Sequence, residues 1–361
     1  MTVKQLRELA RLRLAAQGLV GEGFDDAAAT VRHMTAMQGQ DLPGAMTSAA
    51  LRTRGRSRDG VAEAMNEGSI VRTWPMRGTL HLLPAEDLAP ILSLTGRRTL
   101  QSAARRREQL GVDDPVQDAA RSAAVGALEG GRSLRRDELM SLWDHAGLLG
   151  VGGRGYHLLL TLSLEGVVCF GPFDGAGRNG GGEQRIVLCE EWIGPPRRVD
   201  RDEALAQWAL RYFRSHGPAT VRDFAWWTKL PLGAIRGALA EVADRLATWT
   251  VDGTEFLMAP ETPDLLASAG RGADSVLLLP GFDEFLLGYG DRGAALPGAH
   301  AGKVVPGNNG VFRGTVVAGG RVVGTWKRKG SGKAVRIDAE PFGTFTKTVE
   351  SALPRRFAAL P

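Results

Sequence analysis

Two glutamine carboxamides stand one residue apart in the segment MQGQD, residues 37–41. In an extended or turning backbone, alternate residues point the same way, so Gln38 and Gln40 could converge on one small target. Amide dipoles held in this way can position a water molecule or stabilise a developing charge. The alternative is that both glutamines are polar residues where a helix ends. The two residues alone leave both interpretations open.

Common catalytic and nucleotide-binding motifs are absent from the sequence. It contains no G-x-x-x-x-G-K-[ST], H-E-x-x-H or G-x-S-x-G pattern, and the glycine-rich insert at 175–182 has neither a lysine nor a helix start. The two cysteines, Cys169 and Cys189, lack the spacing of a zinc site and are predicted to be buried free thiols. We therefore expect neither a metal nor a cofactor.

Asp283 and Glu284 are adjacent carboxylates. Neighbouring residues on a strand point to opposite faces, so the two side chains cannot act directly on each other as an acid and a base. We expect them instead to be structural partners of Arg292 or Arg313.

The composition of the 361-residue chain is that of a folded globular protein, with 43% hydrophobic and 24% charged residues. No apolar run is long enough to span a bilayer, and the N-terminus has no apolar signal-peptide centre. The sequence thus predicts a cytoplasmic protein without a membrane partner. A net charge of +5 indicates a polyanionic partner.

Helical patterns alternate with short two-stranded patterns along the chain. A capping-box spacing at Thr2 and Gln5 opens the first helix, which Gly18 stops, and a second helix is predicted from about Asp26 to Met37. After Gly68 the apolar period changes from 3.6 to 2, which indicates a hairpin. The same order of helices and hairpin returns twice, which predicts three tandem winged-helix units.

The last hundred residues carry short alternating or apolar runs around glycine-rich turns, typical of a small β domain. The predicted fold class is α+β, with three tandem winged-helix units followed by a C-terminal domain that resembles a β-barrel. A terminal helix is expected near Thr346 to Phe357. The predicted domain ranges are 1–95, 96–196, 197–262 and 263–361.

Five stretches of this chain resemble the AlkZ-like DNA glycosylases, a winged-helix family named for an azinomycin-resistance enzyme, and the likeness covers nearly the whole sequence. The stretches are MQGQD at 37–41, RTWPMRGTLHLL at 72–83, HGPATVRDFAWW at 216–227, LLPGFDEFLLGYGDR at 278–292 and GRVVGTWKRK at 320–329.

The resemblance implies a catalytic role for Gln38 and Gln40, with Gly39 where the family has an apolar residue. It implies a monofunctional glycosylase that hydrolyses the N-glycosidic bond of N7-alkylated purines in double-stranded DNA and leaves an abasic site. Bulky adducts and interstrand crosslinks are included among the implied substrates, and resistance to a DNA-alkylating natural product is the implied role. The enzyme is expected to be a nucleoid-associated monomer.

Basic side chains near the predicted hairpins and turns are candidates for contact with DNA phosphates. The alternative is that they are solvated residues scattered over the surface. His81 either donates to DNA or packs against its strand neighbours, and Trp226 with Trp227 either stacks on bases or packs in the core. The predicted DNA-binding residues are Arg72, Arg77, His81, Arg222, Arg313, Lys327, Arg328 and Lys329.

Two other functions fit the same sequence. A non-catalytic winged-helix protein, such as a regulator or a shield for damaged DNA, would bind DNA without needing the Gln38, Gly39, Gln40 arrangement. A drug-sequestering protein would bind the free genotoxin without DNA. Loss of excision with retained DNA affinity in variants of Gln38 and Gln40 distinguishes the enzyme from both.

Overall fold

The computed structural model describes residues 1–150, 152–175 and 182–361. The chain divides into two compact units. The terminal unit consists of residues 1–58 and 206–361, and the inserted unit consists of residues 59–205. Most of the predicted glycine-rich insert lies outside the described residues. The four predicted domain ranges are not tested by this division and stay a prediction.

The secondary structure mixes helices and strands throughout, and no helix in the described part of the chain is long and apolar enough to cross a membrane. The first elements are α1 (Val3–Ala16), α2 (Ala27–Met34), β1 (Met37–Gln38) and α3 (Leu42–Ala50). Next come α4 (Arg58–Asn66), β2 (Ile70–Met76), β3 (Thr79–Pro84), α5 (Leu88–Ser102), α6 (Ala104–Gln109), α7 (Asp114–Leu128), α8 (Arg136–His145), α9 (Arg154–Leu164), β4 (Val168–Phe173), β5 (Gln184–Leu188) and α10 (Cys189–Ile193). The remainder contains α11 (Arg201–His216), α12 (Val221–Thr228), α13 (Leu232–Ala240), β6 (Ala247–Val251), β7 (Thr254–Met258), α14 (Thr262–Ala269), β8 (Val276–Leu279), α15 (Glu284–Leu287), α16 (Ala301–Val304), β9 (Gly314–Ala318), β10 (Arg321–Lys329), β11 (Arg336–Pro341) and α17 (Lys347–Ala358).

The first two helices begin where the sequence predicts. The capping box of Thr2 and Gln5 opens α1, and the Asp26 side chain accepts a hydrogen bond from the Ala29 amide at the start of α2. The predicted extension of the second helix to Met37 is wrong, because Thr35 adopts a φ of 64° and ends α2 at Met34. The chain is therefore extended, not helical, when it enters the MQGQD segment.

A four-stranded antiparallel sheet with the order β11, β10, β9, β8 forms the core of the terminal unit. Its side chains alternate between the two faces, as the strand period requires. Leu277 and Leu279 join one buried cluster with residues of α1 and α15, whereas Leu278 joins a second cluster with residues of α17. Both faces of this sheet are thus covered by helices.

The predicted barrel-like closure is wrong for the described residues, because β8 and β11 are the open edges of the sheet. Closure removes the edges of a sheet, but covering its faces with helices is an equally stable way to bury its apolar side chains. The predicted C-terminal helix supplies one of these covers: Val349 and Leu353 of α17 pack against Val316 and Trp326.

Residues 197–262 contain the predicted order of elements, with α11, α12 and α13 followed by the antiparallel hairpin of β6 and β7. The predicted Asp252-Gly253 turn is confirmed, since these residues have φ values of 49° and 73°, as the turn matched to strand twist requires. The assignment of this and two other segments as winged-helix units stays a prediction.

The inserted unit has an antiparallel sheet in which the strands follow the order β3, β2, β4, β5. The hairpins predicted for the first two winged-helix units therefore share one sheet. Helices α5 and α9 pack against β2, and Trp74 lies 5.6 Å from Phe170 between ring centroids. Cys169 and Cys189 are buried and free, as predicted.

His33 links α2 to the end of α1, and this contact predicts a loss of stability in acid. The Nε2 atom lies 2.7 Å from the carbonyl oxygen of Ala16, and burial lowers the pKa of His33 from 6.5 to about 4. The unfolded chain therefore binds a proton on His33 at a higher pH than the folded protein does. Stability contributed by neutral His33 is present above pH 6.5 and is lost as the pH falls to about 4.

We expect His33→Gln, whose amide can still donate to Ala16, to lose less stability over this pH range than the wild type. The measurement is the urea midpoint of both proteins above and below the range. Identical pH dependence in the two proteins would contradict the assignment.

Candidate active site

Gln38 and Gln40 lie in the short connection between α2 and α3, and they differ in exposure. Gln38 ends β1 and is only 8% exposed, whereas Gln40 is exposed and Gly39 is buried. Gln38 and Gly39 are thus buried, whereas the side chain of Gln40 is exposed. Convergence of the two carboxamides on one target stays a prediction.

The carboxylate of Glu284 is a direct partner of this segment. The Gln38 amide donates to Oε1 of Glu284 at 2.9 Å, and the Trp227 indole donates to Oε2 at 3.1 Å. Glu284 is 1% exposed. A buried carboxylate is costly unless its oxygens are hydrogen-bonded, and here each oxygen accepts from a separate N–H donor.

The preceding carboxylate, Asp283, has a different partner. Arg52 donates from both terminal nitrogens to the two oxygens of Asp283, each at 2.9 Å, and the Ser48 hydroxyl donates to Oδ2 at 2.6 Å. Burial raises the pKa of Asp283, but the charge of Arg52 and these hydrogen bonds outweigh burial and hold that pKa below its usual value. Asp283 also accepts from the Phe285 amide and so begins α15.

Gln17 connects this ion pair to the backbone of Glu284. Its side-chain oxygen accepts from Arg52 at 2.7 Å, and its amide nitrogen donates to the Glu284 carbonyl at 3.3 Å and to the Tyr289 hydroxyl at 3.0 Å. Gln17 and Arg52 are both fully buried. Gln17 consequently links the end of α1 to the residues after α3 and to the start of α15, the helix that begins with Glu284.

His216 lies on the other side of Glu284. Its Nε2 atom is 3.7 Å from Oε2 of Glu284 and its ring stacks on Tyr212 with centroids 4.6 Å apart. Complete burial lowers the pKa of His216, although Glu284 opposes this effect. The imidazole is therefore neutral near pH 7 and does not neutralise the Glu284 carboxylate.

Two non-glycine residues with left-handed backbone flank this site. Thr35, three residues before Gln38, has a φ of 64°, and Phe282, directly before Asp283, has a φ of 62°. Such conformations are unfavourable for β-branched and bulky side chains and persist only where the surroundings impose them. Trp208 donates from its indole nitrogen to the Thr35 hydroxyl at 3.3 Å, which supports the first of these turns.

Comparison with known proteins assigns the family. The family model for DNA glycosylase AlkZ-like proteins matches residues 31–360. The chain belongs to the AlkZ-like DNA glycosylase family. The predicted resemblance and the predicted enzyme class, a DNA glycosylase, are both confirmed.

A sequence match and a structure match to this glycosylase both come from Streptomyces sahachiroi. An interstrand DNA cross-link repair glycosylase is 28% identical over 331 residues, covering 89% of this chain and 87% of its own length. The solved structure of the DNA glycosylase AlkZ has a TM-score of 0.78 and 26% identity, covering 98% of this chain and 96% of its own. The mixed arrangement of helices and strands is therefore that of a known glycosylase.

Three predicted DNA-binding residues lie in the inserted unit. Arg72 is half-buried on β2 and donates to Gln184 at 3.1 Å. Arg77 is in the turn between β2 and β3, with a φ of 58°. His81 is fully buried, with Nε2 3.0 Å from the Arg77 guanidinium and Nδ1 2.9 Å from the Thr79 carbonyl. The contact to Arg77 makes Nε2 an acceptor, so His81 supports the hairpin turn.

The other five lie in the terminal unit, and all five are exposed: Arg222 on α12, Arg313 just before β9, and Lys327, Arg328 and Lys329 at the end of β10. Strand alternation places Lys327 and Lys329 on one face and Arg328 on the other. Arg328 lies over the Phe357 ring at 5.2 Å. Lys327 lies 3.5 Å from Asp338 but stays 75% exposed, so this pair contributes little stability. Contact of these residues with DNA stays a prediction.

The two tryptophans predicted as a pair have separate environments. Trp227 is fully buried and packs on Trp208 and Tyr212. Trp226 is half-buried and lies within 5.0 Å of the cationic groups of Lys229 and Arg292. The predicted packing in the core is therefore confirmed for Trp227 but not for Trp226.

The structural role predicted for Asp283 involves a different arginine from the two that were expected. Arg52, not Arg292 or Arg313, pairs with Asp283, and the Gln38 amide and Trp227 indole bind Glu284. Sequence patterns do not reveal Arg52 and Gln17, because each stands alone in a helical segment. The one available signal is an arginine at the end of the otherwise uncharged run that follows Pro43.

Removing Asp283 is expected to destabilise the terminal unit strongly. Asp283→Ala leaves Arg52 buried without its counter-charge, which costs about 3–5 kcal/mol in comparable pairs. The double variant Arg52→Met/Asp283→Ala removes both charges and should lose less stability than the sum of the two single variants. Urea unfolding of all four proteins measures this cycle, and strict additivity would contradict the coupling.

Proposed function

We propose that this glycosylase hydrolyses the N-glycosidic bond of N7-alkylated purines in double-stranded DNA and leaves an abasic site, with Gln38 and Gln40 as its catalytic residues. The observation that carries the proposal is the anchoring of the Gln38 main chain by a buried carboxylate in a chain that belongs to a DNA glycosylase family. A glutamine without a function in a surface loop would not need a buried carboxylate to anchor its main chain.

The chemistry of the lesion suits a pair of neutral carboxamides. A purine alkylated at N7 carries a positive charge, so it leaves as a neutral base and needs no protonation by the enzyme. The remaining task is to stabilise an oxocarbenium-like sugar and to hold a water molecule at its anomeric carbon. Oriented amide dipoles can perform both parts by positioning and electrostatics. Glutamine is a poor general base, so normal purines should be poor substrates.

Interstrand crosslinks are included in the proposed substrates. The relative from Streptomyces sahachiroi is named for cross-link repair and matches this chain over 89% of its length. A crosslinked base is tethered to the opposite strand and cannot be rotated freely out of the duplex. We further propose that winged-helix units hold the duplex and that the enzyme protects a cell against a DNA-alkylating natural product.

Excision should depend on both glutamines. We expect Gln38→Ala and Gln40→Ala each to lower the single-turnover rate by about 100-fold, the usual cost of removing one preorganised dipole. The substrates are a duplex with one N7-methylguanine and a duplex with one N7-linked interstrand crosslink, and alkali cleavage reports abasic sites. DNA affinity should stay near that of the wild type.

The matched control is Gln101→Ala, at an exposed position of α5. Wild-type excision by either active-site variant would refute the catalytic assignment. Tight DNA binding with no abasic product from the wild-type protein on either substrate would favour a lesion-shielding protein.

The exposed lysines of β10 should contribute to DNA affinity through phosphates. Neutralising Lys327 and Lys329 together as glutamines should reduce the slope of log K against log salt by about 0.9 for each lost contact. Lys347→Gln, at an exposed position of α17, is the control. An unchanged slope in the double variant would remove these lysines from the DNA-binding surface.

A further inference from the structure

The proposed catalytic segment, residues 37–41, forms part of the short connection between α2 and α3. Strand β1 contains only Met37 and Gln38, and the next residue, Gly39, has no side chain to pack and more backbone freedom than any other residue type. Productive hydrolysis nevertheless requires the Gln38 carboxamide to keep one orientation. The hydrogen bond from the Gln38 amide to Glu284 is a tertiary contact that can supply this constraint.

Glu284 has the chemistry that this task demands. A carboxylate accepts hydrogen bonds at both oxygens, and Glu284 uses one for Gln38 and the other for the Trp227 indole. A neutral amide of the same shape has one acceptor and one NH₂ donor. Its oxygen could accept from the Gln38 amide or from the Trp227 indole, but its NH₂ group would then face the remaining N–H donor.

We propose that Glu284 is a positioning residue for the glycosylase reaction: its carboxylate fixes the main chain of Gln38 and thereby the orientation of the catalytic carboxamide. The inference rests on the proposed catalytic role of Gln38. Glu284 itself is 1% exposed and acts through Gln38 rather than on the substrate.

The neighbouring carboxylate provides a natural contrast. Asp283 neutralises Arg52 and caps the N-terminus of α15, so its loss lowers the stability of the fold. Glu284 begins the same helix, but its side chain is directed at the Gln38 amide and the Trp227 indole. Substitution of Glu284 should therefore lower the rate of excision without changing the affinity for DNA.

The first test is Glu284→Gln, with two readouts. We expect the single-turnover excision rate to fall by about 100-fold, as for a misplacement of about 1 Å, while the Kd for lesion-bearing duplex stays within about twofold of the wild type. Hydrogen exchange measured on a peptide that includes Gln38 and Gly39 should become faster, because the Gln38 amide loses its acceptor. Peptides from β9 and β10, which do not contain the substituted residue, should exchange as in the wild type.

The second test is rescue by Trp227→Phe. In the double variant Glu284→Gln/Trp227→Phe the competing indole N–H is gone, so the amide oxygen can accept from Gln38. The NH₂ group can then face Nε2 of His216, which has no hydrogen-bond partner among the described residues and lies 3.7 Å from Oε2 of Glu284. We expect the double variant to excise at least tenfold faster than Glu284→Gln alone and to recover the slow exchange of Gln38.

Rescue separates positioning from an electrostatic role and from general destabilisation. The negative charge is absent from both variants, so a purely electrostatic role for Glu284 predicts no recovery. A loss of rate caused by general destabilisation predicts that the double variant is worse, because Trp227→Phe also opens a cavity in the core. Glu350→Gln, at an exposed position of α17, controls for removal of a carboxylate elsewhere.

The outcomes distinguish this inference from the proposed function. Unchanged exchange of the Gln38 peptide in Glu284→Gln overturns the positioning role, whatever the excision rate. No recovery in a double variant that folds also overturns it. If the double variant does not fold, the exchange and rate of Glu284→Gln decide alone. Full excision by Gln38→Ala with faster exchange in Glu284→Gln would instead show that Glu284 holds the segment but that the catalytic assignment is at fault.

Discussion

The buried ion pair of Arg52 and Asp283 is the constraint on which the site depends. It joins residues that are 231 positions apart and places the N-terminus of α15 against the end of α3. Because Asp283 is fixed by a bidentate contact, Glu284 next to it can direct its carboxylate only where α15 allows, towards the Gln38 amide. An apolar pair would fill the same space, but it would not fix the direction of the following residue.

Strain at two turns is consistent with this arrangement. Thr35 redirects the chain from α2 into β1, and Phe282 redirects it from β8 into α15, each through a left-handed backbone that its side chain disfavours. The Gln38 amide and the Glu284 carboxylate, which follow these turns in the chain, are hydrogen-bonded to each other. The surrounding core, with Trp208 bound to Thr35 and Phe312 packed 5.9 Å from Phe282, holds both turns in place.

Local features of the fold can be predicted from the sequence, whereas its tertiary contacts cannot. The capping box of α1, the Asp252-Gly253 turn and the terminal helix follow from short-range rules and are present. The end of α2 does not follow from such rules, because positive φ at a threonine is imposed by its surroundings. A closed barrel is the wrong expectation because strand patterns reveal a buried face without showing whether a helix covers it.

The same division applies to the site. Gln38 and Gln40 are proposed as catalytic residues through their resemblance to a family motif, since neither spacing nor composition separates a catalytic glutamine from one at a helix end. Glu284 stands out in the sequence only as one of two adjacent carboxylates, and its partners come from α12 and β1, far away in sequence. Residues that act by holding another residue's backbone leave no pattern in their own neighbourhood. In the proposed reaction the leaving group needs no acid, so a buried carboxylate can serve catalysis by this indirect support. The two proposed catalytic carboxamides are neutral, and the charge of Glu284 acts through the main chain of Gln38.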